Sequence, residues 1–128
     1  MKIVLDTNVI ISAILSNGPP SIVTDMIGNG RLTPFINDLI IKEYLDVINR
    51  PKFNFSNKQI YSLLNSITKF GVSVESNISS IVKLPHEDDR KFYDLAKTTN
   101  AYLITGNLKH YPNESFIISP ADFLKIIN

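Results

Sequence analysis

The chain contains no cysteine, and only three of its thirteen basic residues are arginine. Without cysteine it cannot form a disulfide, a thiolate zinc site or a cysteine nucleophile. This composition fits a reducing compartment, and we expect a cytoplasmic protein. The chain also lacks a strong charge of one sign, since its twelve acidic residues leave a net charge of +1. A strong, nonspecific nucleic-acid binder has an isoelectric point above ~9, so any contact with nucleic acid must come from a local patch or a bound metal.

Long hydrophobic runs are absent as well. No stretch approaches the ~18 apolar residues that span a bilayer. Asp6 and Asn8 interrupt the N-terminal apolar run, which therefore does not resemble a signal peptide. We expect no membrane partner. With 44% hydrophobic and 20% charged residues, the 128 residues are typical of one globular domain, which we predict to span residues 1–128.

The most informative stretch is at the N-terminus. Ile3, Val4 and Leu5 form a continuous apolar run, typical of a strand that is buried on both faces. Asp6 follows where that strand should end. Ligands of open parallel sheets bind outside the carboxyl ends of the strands. The sequence therefore predicts an acid at the position where an α/β fold builds its site.

Strands and helices are predicted to alternate along the rest of the chain. Strands are expected at 3–5, 32–36, 101–105 and 116–118, with a brief extended piece at 72–75 and a short strand near Ile81–Val82. Helices are expected after residue 9, from a cap at Ser21, from Asn37 or Asp38, from Ser56 or Asn57, after residues 86–89, and from Ser119–Pro120. This alternation predicts a mainly parallel sheet of four or five strands, flanked by helices.

Three further acids lie at informative positions. Glu43 lies at the edge of the apolar stripe of its helix, which we assign to Leu39, Ile40, Tyr44, Val47 and Ile48, and Asp88 and Asp89 lie at the start of another helix. Each has an ordinary alternative: a surface or ion-paired glutamate, or acids that complement a helix dipole. Asp6 could likewise be a simple cap.

The acids are more informative together than singly. Three or four carboxylates at one sheet edge would repel each other unless a cation compensates them. Mg²⁺ and Mn²⁺ prefer oxygen ligands and can activate a water for phosphodiester hydrolysis.

The residues of this pattern resemble a known family. Residues 4–9, Val-Leu-Asp-Thr-Asn-Val, with Ser12 after them, are similar to the opening of the PIN domain, a metal-dependent nuclease fold. Members of that family include the ribonuclease toxins of bacterial and archaeal toxin–antitoxin pairs. The resemblance continues through Glu43 and through residues 88–92, 101–107 and 119–124.

This resemblance implies a PIN-like three-layer α/β fold and a role for each matching residue. Asp6, Glu43 and Asp89 would bind Mg²⁺ or Mn²⁺, while Asn8 and Ser12 would orient Asp6 or its water. Thr105 occupies the family's threonine position after a strand. Asn107 stands where the family commonly has a fourth aspartate, so Asp88 is the candidate for the missing charge.

The implied function is an endoribonuclease toxin with RNA as substrate, a cognate antitoxin as partner, and a homodimer or higher homo-oligomer as its assembly. Lys109 and His110 could contact phosphate or substrate, or could be ordinary surface residues. One alternative is a degenerate PIN fold that binds RNA or protein without catalysis. Another is a phosphotransferase or phosphatase with Asp6 as nucleophile, although Asp-Thr-Asn lacks the second acid of an Asp-x-Asp motif. A flavodoxin-like ligand-binding module fits the fold class, but the chain has no phosphate loop.

Overall fold

The structure, a computed structural model, describes residues 1–75 and 79–127. Its strands are β1 (Lys2–Leu5), β2 (Thr33–Ile36), β3 (Val72–Ser73), β4 (Tyr102–Ile104) and β5 (Ile117–Ile118). Its α-helices are α1 (Thr7–Leu15), α2 (Pro19–Gly28), α3 (Asp38–Ile48), α4 (Asn57–Phe70), α5 (Arg90–Thr99) and α6 (Pro120–Ile127). Short 3₁₀ turns at Glu87–Asp89 and Leu108–His110 follow β3 and β4 along the chain.

The five strands form one parallel sheet in the order β3-β2-β1-β4-β5. Ile3, Val4 and Leu5 of the central strand are at most 1% exposed, as expected for a strand covered on both faces. Helix α5 packs on β1, β2 and β4, and α2 packs against α1, α4 and α6. The predicted α/β architecture with a parallel sheet is confirmed; that the chain is a single domain stays a prediction.

The strand order places a binding crevice beside β1. From β1 the chain first builds β2 and β3 on one side and then returns to build β4 and β5 on the other. A reversal of this kind is the switch point at which α/β sheets bind ligands. The carboxyl ends of β1 and β4 flank this point, and Leu5 pairs with Ile104 there.

Local sequence signals explain most helix starts. Asn37 Oδ1 accepts the Ile40 N–H at 3.0 Å and caps α3, and Ser56 forms a capping box with Gln59 at α4. The prediction of Ser21 as a cap is wrong, because α2 already begins at Pro19 behind Gly18. Proline suits the first helical position, where no N–H is needed.

Two other expectations are wrong. Ile81 and Val82 form no strand; instead, the Arg90 guanidinium binds the Ser80 carbonyl at 2.7 Å and the Val82 carbonyl at 2.6 Å, so these acceptors have no need of a sheet partner. Leu39 is 65% exposed and is not part of the apolar side of α3, which buries Ile40, Tyr44 and Ile48.

None of the described helices combines the length and apolar character needed to cross a membrane.

Candidate active site

Asp6 lies at the end of β1 and caps helix α1. Its side chain is bound on both oxygens. Oδ1 accepts the Asn8 N–H at 3.4 Å, whereas Oδ2 accepts the Thr105 hydroxyl at 3.0 Å and the Tyr111 hydroxyl at 2.8 Å. The residue is 5% exposed, so these contacts fix a carboxylate that water hardly reaches.

Burial raises the pKa of Asp6 above its usual value. The hydrogen bonds from Tyr111 and Thr105 act in the opposite direction, and the charge of Glu43 raises the pKa further. Burial, and then the charge of Asp6, raise the pKa of the Tyr111 hydroxyl. The phenol therefore stays protonated and can donate to Asp6. The carboxylate is therefore costly to ionise where it stands, and a nearby cation would favour its charged form.

The segment after β4 is tied to the start of α1. Thr105 is fully buried, and its hydroxyl oxygen accepts from Asn8 Nδ2 at 3.4 Å and from the Asn107 N–H at 3.0 Å. Asn8 Oδ1 in turn accepts the Gly106 N–H at 3.0 Å. Asn8 thus contacts Asp6 through its backbone, and its side chain holds the loop that carries Thr105.

Glu43 on α3 is the second acid of the site. Thr7 donates a short hydrogen bond to Oε2, and Lys91 Nζ lies 2.7 Å from Oε1. The helix is anchored beside β1 because the next residue, Tyr44, donates its hydroxyl to the Leu5 carbonyl. Glu43 is therefore positioned by Thr7, the neighbour of Asp6, and neutralised by a lysine of α5.

Asp89 is the third acid, at the junction of a 3₁₀ turn and α5. Its Oδ2 lies 3.1 Å from His110 Nδ1, and the His110 ring packs on His86 with 4.3 Å between ring centroids. Burial and then the charge of Asp6 raise the pKa of Asp89; His110 opposes this, and the charge of Glu43 adds to it. The three acids are thus close enough for their charges to interact.

The remaining predicted site residues lie nearby without binding these carboxylates. Asp88 is exposed, and its backbone carbonyl accepts from Lys91 Nζ. The Ser12 carbonyl accepts the N–H and the hydroxyl of Ser16, the residue after α1, and among the described residues no hydrogen bond joins Ser12 to Asp6. Lys109 and Asn107 are both exposed, and Asn107 contributes its backbone N–H to the site.

An open groove of about 850 Å³ reaches the site at Glu43, whereas Asp6 and Asp89 are not part of its lining. Glu43, Asp88 and Lys91 line it, and its lining contains seven acidic and four basic side chains in all. The groove therefore carries a net negative charge and attracts cations to the acids.

Comparison with known proteins identifies the family. The family model for the PIN domain matches residues 2–109. The chain belongs to the PIN domain family. An uncharacterized protein from Methanocaldococcus jannaschii is 31% identical over 111 residues, which cover 84% of this chain and 71% of the relative.

The PIN-like fold is confirmed by a solved structure. The crystal structure of VapBC2 from Rickettsia felis, bound to a DNA fragment from its promoter, matches with a TM-score of 0.56 and 18% identity. The match covers 85% of this chain and 90% of the other. At that identity the likeness shows the fold alone.

The acids of this PIN domain suit a hard divalent cation in chemical type, but they are held apart. Across residues 1–75 and 79–127, no three histidine or acidic side chains converge so that they could hold a metal ion. Protein donors hold one oxygen of each acid: Asp6 Oδ2, Glu43 Oε2 and Asp89 Oδ2. Of the second oxygens, Asp6 Oδ1 has one long contact, Glu43 Oε1 binds Lys91, and Asp89 Oδ1 meets no hydrogen-bond donor among the described residues.

Sequence reasoning missed three residues that hold the acids of the PIN domain: Thr7, Lys91 and Tyr111. Thr7 and Lys91 were detectable in principle, since each lies within two positions of a predicted acid. Tyr111 carries no such signal, because 105 positions separate it from Asp6. Only the folded chain brings this phenol to the carboxylate.

Proposed function

We propose that this PIN domain is a metal-dependent endoribonuclease that hydrolyses RNA phosphodiesters. The observation that carries the proposal is the arrangement of Asp6, Glu43 and Asp89 at the switch point of the sheet. Each carboxylate is oriented by a hydrogen bond to one oxygen, while the second oxygen of Asp6 has one long contact and that of Glu43 pairs with Lys91. Proteins of this family are generally nucleases.

The carboxylates of Asp6, Glu43 and Asp89 would hold Mg²⁺ or Mn²⁺. When bound, such an ion lowers the pKa of a water and polarises a phosphoryl oxygen. The protein's own contribution is orientation. Thr105 and Tyr111 fix Asp6, and Thr7 fixes Glu43.

The residues around His110 complete the proposed site. His110 fixes Asp89 through Nδ1, which leaves its other ring nitrogen for the substrate. Lys109 is exposed beside it and suits a phosphate oxygen. Asp88 lines the groove one position before Asp89, and we assign it the accessory negative charge that Asn107 cannot provide.

A toxin role is the biological part of the proposal. The similarity of residues 119–124 to one branch of PIN-domain toxins, together with the fold shared with VapBC2, supports a toxin with an antitoxin protein as its partner. A cytoplasmic homodimer or higher homo-oligomer completes this proposal.

The decisive experiment is cleavage of an RNA oligonucleotide pool by the Asp6→Asn variant, with Mg²⁺ or Mn²⁺ and with a chelator. We expect cleavage to disappear while the circular dichroism spectrum stays native, because the amide keeps the shape but loses the charge. Asp122→Asn is the matched control, since Asp122 is exposed on α6 and pairs with Lys125. Full activity of Asp6→Asn would refute the assignment.

The second candidate is a PIN fold that binds RNA or protein without catalysis. The pairing of Glu43 with Lys91 favours this candidate, because the lysine ammonium would then neutralise Glu43 in place of a metal ion. Calorimetric titration with Mn²⁺ separates the two functions. No binding at near-millimolar Mn²⁺ would favour the binding module.

A further inference from the structure

We infer that Lys91 is a displaceable counter-ion that occupies a metal-ligand oxygen of Glu43 and competes with the divalent cation. This inference rests on the proposed function and adds a step to it. Glu43 Oε1 would become available to a cation only when the lysine leaves. Lys91 thereby sets the metal affinity of the site.

The contacts of Glu43 support this role. Its Oε2 is held by Thr7, whose place next to Asp6 is fixed by the backbone, whereas its Oε1 is held by a long, flexible lysine. Lys91 Nζ also donates to the Asp88 carbonyl, so an ammonium that leaves Glu43 keeps an acceptor nearby. Displacing the lysine frees one oxygen and leaves the orientation of the carboxylate intact.

The surroundings of Lys91 make displacement feasible. The side chains of Lys91 and Glu43 are 18% and 25% exposed, so water screens the pair in part. Lys91 also lines the groove, where acidic side chains outnumber basic ones. An ammonium that leaves Glu43 therefore moves into a region of favourable potential instead of an apolar interior.

Helix α5 supplies a matched control. Lys97 forms an ion pair of 2.9 Å with Glu114, close in length to the 2.7 Å of Lys91 and Glu43. In the part of the chain that the structure describes, no hydrogen bond or ion pair joins Lys97 or Glu114 to the three acids of the site. Lys97→Met thus removes an ion pair from the same helix without changing the proposed competition.

The first test is calorimetric titration of Mn²⁺ into the wild type, Lys91→Met and Lys97→Met at one pH and ionic strength. We expect Lys91→Met to bind Mn²⁺ about tenfold more tightly, in the range of typical coupling between two binding events. Lys97→Met should bind as the wild type does. A second variant, Lys91→Gln, serves if Lys91→Met does not fold.

The second test uses the unmodified chain. Lys91 should react faster with an amine-acylating reagent when Mn²⁺ is present, measured by peptide mass spectrometry, and Lys97 should not change. Unchanged reactivity of Lys91 in the Mn²⁺-loaded protein would overturn the inference.

The outcomes separate the two proposals. If the wild type binds Mn²⁺ and Lys91→Met binds it equally or more weakly, the inference fails and the metal-dependent function stands. If neither protein binds Mn²⁺, both fail. Loss of RNA cleavage in Lys91→Met at unchanged Mn²⁺ affinity would assign Lys91 to the substrate and overturn its role as a competitor.

Discussion

Replacing Thr105 with valine should destabilise the protein more than any other loss of one hydroxyl near the site. The Thr105 hydroxyl is fully buried, donates to Asp6 and accepts from Asn8 and Asn107. Valine keeps the shape of the side chain, so the change isolates the hydrogen bonds. The variant leaves a buried carboxylate with one strong donor and two N–H groups without their acceptor.

The expected cost follows from these three bonds. A hydrogen bond to a charged group contributes about 1.5–3 kcal/mol, and a neutral one about 1 kcal/mol. Asp6 keeps Tyr111, and the Asn107 N–H lies where water can replace the hydroxyl, so we expect a loss of about 2–3 kcal/mol. For a domain of this size that corresponds to a fall in melting temperature of roughly 6–12 °C.

Urea unfolding followed by circular dichroism measures this cost. Thr99→Val is the control, because the Thr99 hydroxyl donates within α5 to the backbone carbonyls of Leu95 and Ala96. We expect the control to stay within about 0.5 kcal/mol of the wild type. A Thr105→Val variant equally close to the wild type would refute the idea that this hydroxyl couples β1 to β4.

Two further predictions concern Tyr111 and Glu114. Tyr111→Phe should weaken Mn²⁺ binding ten- to a hundredfold, as losses of groups behind a metal ligand typically do, and should leave the fold intact. Unchanged affinity in calorimetry would show that Asp6 needs no phenol. Glu114 accepts from Tyr93 and pairs with Lys97, and both contacts lower its pKa. Because the folded-state pKa of Glu114 lies below the unfolded one, Glu114→Gln should lower the free energy of unfolding at pH 7. The difference in free energy between variant and wild type should shrink as the pH falls below the usual glutamate range. A difference that persists at about pH 3 would contradict this assignment.

Features that depend on a few neighbouring residues were predictable from the sequence. The apolar run before Asp6 predicts β1 because burial on both faces needs only local pattern, and Asn37 caps α3 as an asparagine in that place should. The parallel sheet follows from the alternation of elements. These predictions need no knowledge of distant contacts.

The contacts that give each acid its environment were not predictable. Tyr111 reaches Asp6 across 105 positions and no signal marks it, while Lys91 lies two positions after Asp89 but pairs with the distant Glu43. The strand expected at Ile81–Val82 failed for a similar reason. There the Arg90 side chain, and not a neighbouring strand, binds the backbone acceptors.

The hydroxyls of Thr105 and Tyr111 have a consequence for the order in which the site can form. Both hydroxyl donors to Asp6 Oδ2 come from residues that follow β4, 99 and 105 positions after Asp6. During synthesis the central acid therefore gains these two partners only after residues 105 and 111 have been made. A chain interrupted before Thr105 contains all three acids but neither of these hydroxyls, so a partly made protein carries the carboxylates without their orientation.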